Sequence, residues 1–75
     1  MKILTQDRKG ITTIDKEVWA VCYTQNGEYA ILHDTEDYVK GKLGIYPTQQ
    51  RVEEILVDVF KAIEEGKATY IMPEN

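Results

Sequence analysis

Two unbroken apolar runs, Val18-Trp19-Ala20-Val21-Cys22-Tyr23 and Tyr29-Ala30-Ile31-Leu32, constrain the fold of this chain more than any other feature. Strand side chains alternate between faces, so runs like these build a hairpin that is apolar on both sides. Only one later stretch, Thr48 to Glu65, carries a helical pattern. One helix covers one face. The other must curl closed, be covered by another copy, or meet a partner.

Size sharpens that demand. Seventy-five residues make one domain, residues 1–75, and a chain this short buries only about 60% of its unfolded surface. Small domains draw further support from disulfides, metals or self-association. Cys22 is the single cysteine and His33 the single histidine, so neither a disulfide within the chain nor a zinc site of four Cys and His ligands can form. Self-association or an unusually efficient core is left. The N-terminus turns polar after Ile3 and Leu4, too early for a signal peptide, and no stretch approaches a membrane span. A cytoplasmic protein without membrane contact is expected. Nine basic against thirteen acidic residues give a net charge of −4, which argues against affinity for nucleic acid phosphates.

The rest of the chain reads in order. Lys2 to Thr5 forms a short strand, and Asp7-Arg8-Lys9-Gly10 a polar turn with Gly10 supplying any positive φ. Ile11 to Ile14 forms a second strand. Asn26-Gly27 suits a two-residue type I′ turn, which sets Gln25 opposite Glu28, Cys22 opposite Ile31, Val21 opposite Leu32 and Trp19 opposite Asp34. Asp34-Thr35-Glu36-Asp37 is an acidic loop. Tyr38 to Tyr46 resumes as a strand in which Gly41 and Gly44 suggest a bulge or bend. Thr48 is the expected N-cap of the helix and Gly66 its C′ residue. Val52, Ile55, Leu56, Val59, Phe60 and Ile63 share one arc, with Ala62 on its edge. Val52, Ile55, Leu56, Val59 and Ile63 are expected to supply much of the core, and Leu56→Ala is expected to cost about 2–5 kcal/mol. Ala68 to Met72 is a last strand. The expected fold is α+β: a small bent antiparallel β-sheet of about five strands packed against one C-terminal α-helix, followed by a short final strand.

Chemistry finds few footholds. Cys22 sits among apolar neighbours without the basic partner that makes a reactive thiolate, so a buried structural cysteine is expected. His33-Asp34 lacks the further histidines of a metal phosphohydrolase, and the acidic turn departs from the calcium-loop pattern at Tyr38 and Val39. There is no serine, and Gly41-Lys42 and Gly66-Lys67 fall short of a phosphate-binding loop. No cofactor, metal or catalytic residue is expected, and no enzyme.

Two surfaces remain. If the helix lies over the smaller residues Val18, Ala20, Cys22 and Ile31, then Trp19, Val21, Tyr23 and Leu32 form an apolar patch on the far side, the expected interaction surface. The alternative is the acidic helix face at Glu53, Glu54 and Asp58, which would imitate DNA phosphates as a small inhibitor of a nucleic-acid enzyme. The expected role is a non-enzymatic interaction or accessory module, self-associating through a sheet face or an edge such as the strand near Met72.

Lys2-Ile3-Leu4-Thr5-Gln6-Asp7, Leu43-Gly44-Ile45-Tyr46-Pro47-Thr48 and Tyr70-Ile71-Met72-Pro73 also carry a likeness. The chain resembles small uncharacterised proteins of low-GC Gram-positive bacteria and their prophages over nearly its whole length. That resemblance implies no activity, cofactor or site residue.

Overall fold

The computed structural model describes residues 1–14, 17–23, 27–34 and 40–75, and at 19, 21–23 and 40 the backbone alone. The elements run β1 (Lys2–Leu4), β2 (Ile11–Thr13), β3 (Val18–Tyr23), β4 (Glu28–Asp34), β5 (Lys40–Tyr46), α1 (Gln49–Glu64) and β6 (Thr69–Ile71). This is the expected small α+β domain. Its strands divide into two three-stranded sheets, ordered β2-β1-β6 and β3-β4-β5, rather than one bent sheet. All pairings are antiparallel except β1 with β6. That parallel pairing follows from α1, which carries the chain back across the molecule between β5 and β6.

The central hairpin pairs two residues away from the expected register: Tyr23 lies opposite Glu28, Val21 opposite Ala30 and Trp19 opposite Leu32. Gly27, before β4, holds a φ of 67°, a left-handed conformation that glycine adopts without steric cost. Residues 24–26 lie outside the described set. A slip of two leaves every side chain on its expected face, whereas a slip of one would have inverted them all. Ile31 accordingly lies in the core, with Val18 and Ala20 packed against it, and α1 lies over β3, β4 and β5. The helix covers the smaller-residue face.

The expected irregularity in β5 is a bulge. Ile31 pairs with Gly44 but Leu32 with Lys42, leaving Leu43 as the extra residue, buried in the core. The flanking glycines make room. A Cβ at Gly44 would strike the Tyr46 ring, and one at Gly41 would run into the imidazole of His33. Gly41→Ala is therefore expected to destabilise by about 1–3 kcal/mol, the usual cost of overpacking. Measured as a double-mutant cycle, Gly41→Ala should cost much less in a His33→Ala background than in the parent, because the atoms nearest the new methyl group are those of the ring. An equal cost in both backgrounds would refute this contact.

Helix boundaries are set locally. Thr48 is extended (φ −134°, ψ 152°) and its hydroxyl accepts from the Arg51 amide at 3.1 Å, a side-chain N-cap. At the other end Gly66 adopts φ 72°. Its amide donates to the Ile63 carbonyl and the Lys67 amide to that of Ala62, both at 3.0 Å. This is the paired Schellman arrangement.

The two sheets share one core of Ile3, Ile14, Ile31, Leu43, Tyr46, Val52, Ile55, Val59 and Met72. Gln6, just past β1, stitches them together along the outer edge of β5. Its backbone amide donates to the Leu43 carbonyl at 3.0 Å. Its side-chain oxygen accepts from the Ile45 amide at 2.6 Å and its nitrogen donates to the Ile45 carbonyl at 2.8 Å. One primary amide thus stands in for a neighbouring strand and covers an edge open to foreign pairing.

The turn before β2 corrects another expectation. Arg8, not Gly10, takes the positive φ, at 64°, a conformation that costs a residue with a Cβ about 1 kcal/mol. The Asp7 carboxylate steadies the turn by accepting from the Lys9 amide at 2.9 Å and the Thr5 hydroxyl at 2.7 Å. Those two hydrogen bonds hold its pKa below the usual carboxylate value. Left-handed backbone at Arg8 aims its guanidinium at the chain end, where it donates to the Met72 carbonyl at 2.6 Å and meets Glu74 at 3.3 Å. The next three carbonyls are held likewise: Pro73 by the Tyr46 hydroxyl at 2.7 Å, Glu74 by Gln6 at 3.0 Å and Asn75 by Arg51 at 2.8 Å. Each of the last four carbonyls accepts from a different side chain.

Candidate interaction surface

The helix is more apolar than the core can use. Its apolar arc from Ala62 round to Phe60 spans about 160°, wider than the stripe of about 100° that suffices for a surface helix. Val52, Ile55, Val59 and Ala62 are buried and Leu56 half-buried, while Phe60 is 61% and Ile63 53% exposed. The expectation that Ile63 belongs to the core is corrected, and Phe60, on the same arc, stands outside the core as well. The sheets cover the Ala62 side of the arc and leave the opposite shoulder open. Leu56, half-buried in that shoulder, should lose less on truncation than the ~2–5 kcal/mol expected of a core residue.

That shoulder forms one wall of a groove of about 640 Å³. Leu56, Val59, Phe60 and Ile63 line it from α1, Met1, Ile14 and Val18 from the strand side, and Gly66 and Lys67 close its end. Nearly every lining side chain is aliphatic or aromatic. Among the described residues no titratable side chain other than Lys67 lines it, so what these residues can do is receive apolar side chains.

A second exposed apolar feature crosses the first sheet. Leu4 pairs with Ile11 on one side and Ile71 on the other. Since Ile3 points into the core, these three alternate to the outer face. Ile11 is 74% and Ile71 62% exposed. The row is short and flat, and its outer members lie on edge strands. The strand leading to Met72 is indeed an edge.

The sequence-derived surfaces fare differently. On the far face of β4, Leu32 is only 8% exposed and Ala30 fully buried, so Leu32 offers little accessible area. The side chains of Trp19, Val21 and Tyr23, and of Cys22, lie outside the described residues, as do residues 35–37 of the acidic loop and Tyr38 and Val39 of the expected strand. Glu53, Glu54 and Asp58 are all exposed and gather with Gln50 and Val57 around a shallow depression of about 390 Å³. Two of the three carboxylates already have partners. Gln49 donates to Glu53 at 3.1 Å and Arg51 sits 3.7 Å from Glu54.

His33 is buried and its Nδ1 lies 3.1 Å from the Asp34 carbonyl oxygen. A carbonyl carries no proton, so Nδ1 is the donor there. Among the described residues no three His, Cys, Asp or Glu side chains come together as metal ligands would. No helix among them is long and apolar enough to cross a membrane. Comparison with protein-family models, curated proteins and solved structures finds no match to this chain.

Proposed function

We propose that this chain is a non-enzymatic protein-interaction module of the cytoplasm that docks apolar side chains of another protein in the groove beside α1. One observation carries the reading: Phe60 and Ile63 stand more than half exposed on the wall of a concave apolar groove. Contiguous apolar surface of this kind is costly to leave in water and marks docking sites. The groove is favoured over the Trp19, Val21, Tyr23 and Leu32 patch because Leu32 is buried within the single chain. It is favoured over the Ile11–Leu4–Ile71 row because a concave site surrounds a guest on more sides. A net charge of −4 argues against nucleic acid as the guest.

The test is chemical-shift mapping with a panel of short amphipathic helical peptides unrelated in sequence to this chain. Saturable shifts at Ile14, Val18, Phe60 and Ile63, abolished by Phe60→Asp, are expected. Shifts scattered over the surface, or unaffected by Phe60→Asp, would contradict the assignment.

The acidic depression supports a second reading, a small inhibitor of a nucleic-acid enzyme acting through Glu53, Glu54 and Asp58. Clustering of three exposed carboxylates in one depression favours it. Pairing of Glu53 with Gln49 and Glu54 with Arg51 weakens it. Charge reversal at Glu54 and Asp58 should abolish any such inhibition while leaving groove binding intact.

A further inference from the structure

We infer that the occupant of the groove is a second copy of this chain, bound through antiparallel pairing of α1 with α1 about a twofold axis at Phe60. This deepens the proposed function and rests on the groove being the docking surface. Residues 53, 56, 60 and 63 follow the 3-4-3 spacing that keeps a seam on one side of a helix, and Lys67, past the helix end, lines the same groove. Their order is Glu, Leu, Phe, Ile, Lys. Phe60 is at the centre, with Leu56 and Ile63 beside it, and opposite charges close the two ends seven residues away. Lys67 follows the Schellman turn and still lines the groove with Phe60 and Ile63.

A twofold axis through Phe60 exchanges the ends of this seam. Antiparallel pairing then sets Glu53 against the partner's Lys67, and symmetry repeats the pair. Parallel pairing would stack like charges at both ends, so the charge pattern selects one orientation. Neither charge is committed elsewhere by a strong bond. Glu53 accepts from Gln49 at 3.1 Å and Lys67 meets Glu65 at 3.2 Å, and both are exposed contacts of the kind that re-form at little cost. At the centre, Phe60 on the partner's Phe60 supplies an aromatic contact of the sort that anchors interfaces. A seam on one helix falls short of the standard interface area, so the dimer should be weak, with a Kd on the order of 10–100 μM.

Sedimentation equilibrium from about 1 μM to 1 mM tests this on the intact chain. Phe60→Asp should raise Kd at least about a hundredfold. Phe60 is 61% exposed, so the variant should fold, and its circular dichroism melt checks that it does. Glu53→Lys and Lys67→Glu should each weaken the dimer about tenfold, since each alters two symmetry-related pairs. The combined variant has the parent net charge and should return to within about threefold of it. A monomer throughout, or a dimer that the combined reversal does not restore, would overturn the pairing. If the monomer still shows groove shifts with the unrelated peptides, the docking reading stands and only this occupant is wrong. Should those shifts also be missing, both fall.

Discussion

Ile55→Ala should lower the unfolding free energy by about 2–5 kcal/mol. Ile55 is fully buried at the middle of the covered side of α1, in the core that joins both sheets. Removing three carbons there forfeits their transfer from water and leaves a cavity that the flanking strands cannot fill without breaking their ladders. A domain of this length has only about 4–11 kcal/mol to lose, so the variant should melt far below the parent or fail to fold at room temperature. Leu56→Ala, one residue on but half-buried, should cost about 1–2 kcal/mol, in proportion to the smaller area it hides. Urea denaturation of the pair measures the ranking. A larger loss at Leu56 than at Ile55 would mean that the helix is rotated from the orientation described.

The alkaline limb of the stability curve should belong largely to Tyr46. Burial, and secondarily the neighbouring Tyr70, push its pKa up to about 12 from an ordinary value near 10. A phenol with a raised pKa in the folded state stays protonated while its unfolded counterpart ionises. Its contribution is therefore complete below pH 10 and is lost as pH climbs towards 12. The full loss is about 2–3 kcal/mol for a shift of this size. Tyr46 is 1% exposed, so solvent screening does little to soften the effect. Tyr46→Phe gives up the hydroxyl bond to the Pro73 carbonyl, about 1 kcal/mol at neutral pH, and in exchange its stability should fall much less between pH 10 and 12. Some slope should survive in the variant, because burial also raises Tyr70. Parallel limbs for parent and variant would show that Tyr46 ionises freely in the folded protein.

What was legible in the sequence was local or periodic. Thr48 and Gly66 mark the helix ends because capping depends on one residue and its near neighbours. Which face of the hairpin the helix covers was left open by the sequence, though the small side chains at Val18 and Ala20, which let a helix approach closely, pointed to the face it takes. Even the wrong register did no harm to that reading, since a slip of two preserves the alternation. The features that sequence reasoning missed depend on long-range contact. Gln6 bonds to Ile45 and Glu74 across separations of 39 and 68 residues, and nothing about a lone glutamine announces such a role. Arg8 tolerates a left-handed backbone because the chain end rewards its guanidinium, a reason visible only when both are in place. The groove had a signal that went unused. An apolar arc carrying Leu56, Phe60 and Ile63 beyond Val52, Ile55 and Val59 is too wide for one sheet to cover.

The central claim is that α1 divides its apolar surface between a closed core and an open groove. Methyl relaxation in the native protein with a soluble gadolinium chelate tests it most directly. In dilute solution Ile11, Ile63 and Ile71 should relax strongly, while Ile3, Ile31 and Ile55 stay protected. On raising the concentration, Ile63 alone should lose its enhancement as a second copy covers it. Protection of Ile63 in dilute solution, or strong relaxation of Ile55 at any concentration, would contradict the division of the helix described here.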